Sequence, residues 1–173
     1  MRWVAFLGGI NVGGHRVKMD ALRDEFSALG YADVSTFIAS GNVVFDAPGR
    51  GRALEQAIEA RLEEQLGYAV PTFLRPAKSI ADIAAYEPFG PTAERDSLHV
   101  LFLDAAPGAA AVRATEALSN HQDRFEVRGT ELYWGIHGNL MDSSVKSSVL
   151  AKAHGQRATA RNVKSLRKLA ATL

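Results

Sequence analysis

The apolar residues of this chain follow two spacings in a fixed succession, and that succession limits the folds open to it. Residues 2–7 form an apolar, strand-like run, and Met19, Leu22, Phe26 and Leu29 then recur at helical spacing with Gly30 as a stop. Val34, Thr36 and Ile38 alternate, Ser40-Gly41-Asn42 has turn chemistry, and Val43-Val44-Phe45 brings the chain back as a hairpin. Leu54, Ile58, Leu62 and Leu66 mark a second helix closed by Gly67, and Val70–Leu74 reads as a fourth strand. The order β-α-β-β-α-β is the split βαβ, or ferredoxin-like, arrangement.

The second half gives nearly the same order. After a short helix over 79–86 and a Pro/Gly-containing linker over 87–96, residues 98–103 read as a buried central strand. Pro107 opens an alanine-rich helix to about Asn120, and Phe125/Val127 and Leu132/Trp134/Ile136 flank a turn at Gly129-Thr130. Asp142 is expected to cap a helix ending before Gly155, residues 157–160 to form an edge strand, and a last helix to bury Val163, Leu166, Leu169 and Ala170. The expectation is an α+β protein of two ferredoxin-like lobes, residues 1–86 and 97–173, with mainly antiparallel sheets and an extra C-terminal helix. No residue-level repeat accompanies it, so the duplication rests on element order alone.

Composition narrows the chemistry. The chain of 173 residues is 47% hydrophobic and 23% charged, an ordinary globular balance. It has no cysteine, which excludes disulfides, thiol nucleophiles and thiolate-held metals and fits a reducing cytoplasm. The first apolar run is too short for a signal segment or membrane span. The five histidines, His15, His99, His121, His137 and His154, show no metal-ligand spacing, so no metal and no cofactor is expected. Charge is uneven: residues 143–173 carry seven Lys or Arg and no Asp or Glu, whereas the first 142 hold 13 basic and 19 acidic side chains. Either a basic face meets phosphate or nucleic acid, or a solvated helix pairs with the acidic body.

The leading site candidate is the run Leu7-Gly8-Gly9-Ile10-Asn11-Val12-Gly13-Gly14, between a strand and a helix. Its glycines have the spacing of a phosphate loop, but His15 and Arg16 stand where lysine and Ser/Thr are required, so a nucleotide triphosphatase is excluded. The dinucleotide fingerprint is absent too. What remains is a set of backbone donors at Gly9, Asn11, Gly13 and Gly14 beside His15, Arg16 and Lys18, at the entrance to a helix. The alternative is a loop whose glycines only supply positive φ. In the assumed fold the turn holding Ser40 and Asn42 falls beside this loop and adds polar groups. Arg161 and Asn162 precede the last helix. Arg161, Lys164 and Lys168 at i, i+3 and i+7 would form one exposed basic stripe, while Thr159 or Asn162 caps the helix.

The segments FLGGINVGGHRVKM, STFIASGNVVF, LHVLFLDA and ATARN resemble the domain-of-unknown-function family 1697, a group of uncharacterised bacterial proteins. The resemblance runs nearly end to end and implies a duplicated α+β fold, with no established activity. The family usually carries arginine where this chain has Gly8, Ser-Lys near Ser143-Ser144, and tryptophan where this chain has Val163. Three functions are therefore expected in order: binding of a phosphate-bearing small molecule or nucleic acid at the glycine loop, an enzyme acting on a small anionic metabolite with His15 or Lys18 as acid or base, and a protein-interaction module.

Overall fold

A computed structural model describes residues 1–38 and 41–173. By its internal contacts the chain divides into two compact units, Met1–Ile80 with Leu169–Leu173, and Ala81–Lys168.

In the first unit β1 (Arg2–Leu7), α1 (Met19–Ala28), β2 (Ala32–Phe37), β3 (Asn42–Asp46), α2 (Gly51–Leu66) and β4 (Thr72–Pro76) follow in order, and the first part of α3 (Ala77–Ala85) comes next. The sheet has the order β2-β3-β1-β4, with every neighbouring pair antiparallel. This is the ferredoxin-like order, with β1 and β3 central as the sequence requires. One face carries Trp3, Ala5, Leu7, Val43, Phe45 and Leu74, which pack with Leu22 and Phe26 of α1 and Leu54, Ile58 and Leu62 of α2. The other face is buried too, at Val4, Phe6, Val44 and Phe73. That is why β1 and β3 read as continuous apolar runs rather than alternating ones.

The second unit repeats the plan with β5 (Ser97–Leu103), α4 (Ala109–Glu116), β6 (Asp123–Arg128), β7 (Glu131–Ile136), the short 3₁₀ turn Leu140–Asp142, α5 (Ser147–His154), β8 (Ala158–Asn162) and α6 (Val163–Ala170). Its sheet order is β6-β7-β5-β8, again antiparallel throughout. The repeat extends to register. Val4 lies opposite Val44 and Arg75, and Val100 lies opposite Tyr133 and Arg161. Both arginines are buried, and each donates to the carbonyl of the residue before it: Arg75 to Leu74 at 2.8 Å, Arg161 to Ala160 at 2.9 Å. The duplication that element order suggested is thus visible residue by residue once strand pairing supplies the alignment.

Several boundaries differ from expectation. The fourth strand begins two residues later than read, at Thr72, and continues through Arg75. Ile38 lies past the end of β2 with φ of 50° and half exposed, so it does not complete the alternation begun by Val34 and Thr36. Asp142 does not open α5. It closes the 3₁₀ turn, where Asn139 accepts from the Met141 N–H and Asp142 accepts from the Asn139 N–H, while α5 starts after Lys146 with no side-chain cap.

Candidate functional site

The glycine loop leaves the C-terminal end of β1 between two anchors. The Leu7 N–H donates to the Gly41 carbonyl at 2.9 Å and the Gly8 N–H to the Pro71 carbonyl at 2.8 Å. Gly41 is obligatory here: its φ is +78° and a Cβ would sit 2.5 Å from Ile10 Cγ2. Gly41, just before β3, therefore packs directly on the start of the loop. Ile10 is buried and holds the loop to the core.

Beyond Ile10 the chain emerges. Residues 12–16 are exposed, and Gly13 and Gly14 adopt φ of +62° and +89° with nothing within 4 Å of a Cβ on either. These two glycines answer a conformational need and not a crowded one. Asn11 Oδ1 accepts from the Val17 N–H at 2.9 Å and closes the loop on itself. The His15 ring stacks on Tyr68, centroids 3.8 Å apart, and the Tyr68 hydroxyl donates to the Ile10 carbonyl at 3.4 Å. Between these braces lies an open cleft of about 430 Å³ lined by Asn11, Gly14, His15, Arg16 and Val17. Lys18, at the N-cap of α1, makes no side-chain cap bond and is exposed. Among the described residues neither Arg16 nor Lys18 has an ion pair, whereas Asp20 in the first turn pairs with Arg23.

The structure thus brings Asn11, Gly14, His15 and Arg16 to one cleft, with Gly9, Gly13 and Lys18 on the same loop. Asn42 stands apart from it. Its side chain is buried, donates to the Phe37 carbonyl at 3.2 Å, and ties the hairpin closed. Ser40 lies outside the described residues.

The basic stripe is corrected. Arg161 is not on α6 but on β8, buried, donating to Thr159 Oγ1 at 2.9 Å as well as to Ala160. Burial pulls its guanidinium down to about 10 from the ordinary arginine range. Asn162 Oδ1 accepts from the Lys164 N–H at 2.8 Å and opens α6, which is the capping role. Lys164 and Lys168 remain exposed, but Arg167, beside them, is held by Glu87 at 2.9 Å and the Ala84 carbonyl at 3.1 Å. No stripe of three free cations survives.

Sequence reading missed a polar centre in the second unit. Asp123, fully buried, accepts from Trp134 Nε1 at 2.8 Å, Ser143 Oγ at 2.6 Å, the Ser144 N–H at 2.8 Å and Ser144 Oγ at 2.7 Å. Burial raises the carboxyl, but these donors together hold it below the usual aspartate value. Ser143 and Ser144 are both spent on this carboxylate.

Two histidines of the second unit are also buried. His99 Nε2 has no hydrogen-bond partner among the described residues, and His154 Nδ1 accepts from the Gln156 N–H at 3.2 Å. Desolvation lowers the pKa of both. The unfolded chain takes up protons near pH ~6.5 while the folded one still excludes them, so stability falls as pH drops below that value. Urea midpoints measured at pH 7.5 and 5.5 are expected to show the lower stability at 5.5, and His154→Phe is expected to narrow the gap. An equal gap in the variant would remove His154 from the account.

Two four-stranded antiparallel sheets with ferredoxin-like strand order, repeated in register, define an α+β fold class. The chain belongs to the family described as protein of unknown function DUF1697, whose model matches residues 1–133. The positions of Ser143, Ser144 and Val163 lie beyond that match. The fold is similar to that of a solved conserved bacterial protein from Streptococcus pneumoniae, with a TM-score of 0.78, 23% identity, and coverage of 99% of this chain and 97% of that one. Comparison with curated proteins finds no match. Among the described residues no helix is long and apolar enough to cross a membrane, and no group of three acidic or histidine side chains is placed to hold a metal ion.

Proposed function

We propose that this chain is a cytoplasmic module that binds a phosphate-bearing small molecule at the loop from Gly9 to Lys18. The observation that carries the reading is the cleft of about 430 Å³ lined by Asn11, Gly14, His15 and Arg16, at the uncapped N-terminus of α1. An anion there meets the positive end of a helix and two cations without ion pairs among the described residues. A small ligand is favoured over nucleic acid because the basic C-terminal segment lacks the stripe that a polyanion needs. Arg161 is buried and Arg157 and Arg167 are paired, which leaves Lys164 and Lys168 on α6 and Lys146 and Lys152 at α5.

Calorimetry at low salt against inorganic phosphate and a panel of nucleotides and phosphorylated metabolites tests this. A charge-assisted hydrogen bond contributes roughly 1.5–3 kcal/mol, so Arg16→Ala is expected to weaken the best panel member by roughly tenfold or more. Gly13→Val, which forces a β-branched residue to φ of +62°, is expected to weaken it without Arg16 being touched. If no panel member binds, or if both variants bind as wild type does, the site is elsewhere.

A further inference from the structure

The duplication exposes a second site. In the first unit the helix-covered sheet face is filled over its edge strand: Leu74 is 4% exposed, and α2 runs for 16 residues above it. The matched place in the second unit is not filled. Ala160 stands at the register position of Leu74 and Ala158 at that of Thr72. The covering helix α5 is only 8 residues long, and Ala160 is exposed. The result is a cleft of about 290 Å³, whose walls include Leu101, Trp134, Leu150, Ala158 and Ala160. That size lies at the lower end of small-molecule pockets, about 300 Å³.

Ser147, His154 and Gln156 are the polar residues of this wall, and His154 is the buried one. His154 is 3% exposed and lines the cleft. Its Nδ1 is occupied as an acceptor by the Gln156 N–H, so the neutral ring carries its proton on Nε2, which stays free to donate to an acceptor in the cleft. A ring N–H at the wall of a cleft takes its acceptor from water or from whatever displaces that water, and a ligand oxygen there replaces the water's bond. The indole of Trp134 cannot be that acceptor. It is a donor only, and its N–H is already given to Asp123 at 2.8 Å, which also fixes the ring in place.

We propose that this cleft binds a small, uncharged aromatic molecule bearing a carbonyl oxygen. The ring packs among Leu101, Trp134 and Leu150, and the oxygen accepts from His154 Nε2–H. The absence of any Lys or Arg from the lining separates this ligand class from the anion expected at the glycine loop.

The test uses the whole chain and two probes of similar size: acetophenone, and isopropylbenzene, in which a CH–CH3 unit replaces the carbonyl group. Each is titrated while the Trp134 indole N–H is followed by NMR. Acetophenone is expected to give a saturable shift and to bind roughly fivefold or more tightly than the hydrocarbon, the worth of one neutral hydrogen bond. His154→Phe is expected to erase that preference while leaving isopropylbenzene binding in place. Ala160→Leu, which restores the residue type of the first unit at an exposed position, is expected to abolish binding of both probes without loss of the folded circular dichroism spectrum. No saturable shift in the wild type, a preference that persists in His154→Phe, or unchanged binding in Ala160→Leu would each overturn the proposal.

Discussion

Replacing Asp123 by alanine is expected to destabilise the second unit by roughly 2–4 kcal/mol, because it leaves several hydrogen-bond donors without their acceptor at once. The Trp134 N–H is the costliest of them, since the indole is buried between β7 and β6, stacked on Phe125 with ring centroids 5.7 Å apart. Ser144 is exposed and can turn to water, which limits its share. Asp123→Asn keeps an acceptor for the indole but puts an amide donor against the Ser144 N–H, so a smaller loss, about half, is expected. Urea unfolding followed by Trp fluorescence measures both. The effect is also expected to depend on pH with a definite sign. The folded carboxyl lies below its ordinary value, so its contribution is present above that value and is lost as pH falls through the folded one. Wild type and Asp123→Ala should therefore converge in strongly acidic solution. A constant difference across that range would show that Asp123 acts through shape alone.

How far the sequence revealed this molecule depends on how local the signal is. The central strands and the helices α1, α2 and α6 were legible because their burial follows a single period along a few residues. Val163, Leu166 and Leu169 are buried as the spacing demanded. The start of the glycine loop and its neighbour, the turn at Gly41, followed from strand order. Arg161 was misplaced for an equally physical reason. A stripe at i, i+3 and i+7 exists only if all three residues share a helix, and one strand residue moves its side chain to a sheet face. Asp123 and Glu55 were invisible because a carboxylate in a polar run reads as solvated, and only tertiary pairing shows which buried donors it meets. The duplication was hidden at residue level because what the halves share is register, seen in Arg75 and Arg161, with most other matched positions differing in type.

Glu55 and Glu59 lead to the second large effect. Strand β4 is an edge strand, and its outward N–H groups would otherwise present an open ladder. Two carboxylates one turn apart on α2 close it: Glu59 Oε1 accepts from the Thr72 N–H and Glu55 Oε1 from the Leu74 N–H, each at 2.9 Å. The second sheet treats its own edge β6 the same way, with Glu116 Oε1 accepting from the Val127 N–H at 3.1 Å and Ser119 Oγ from the Phe125 N–H at 3.0 Å. Of the two on α2, Glu55 is the buried one and the bond it makes is buried, so Glu55→Ala strands a backbone donor that water reaches poorly and opens space under the helix. A loss of roughly 2–3 kcal/mol is expected, against a smaller one for Glu59→Gln, whose amide oxygen can still accept from Thr72. Amide hydrogen exchange distinguishes the cause: Leu74 should lose protection selectively in Glu55→Ala, at a urea concentration where Val4 and Phe6 of β1 remain protected. If the N–H of Leu74 exchanges no faster than in wild type, the carboxylate is not what closes this edge.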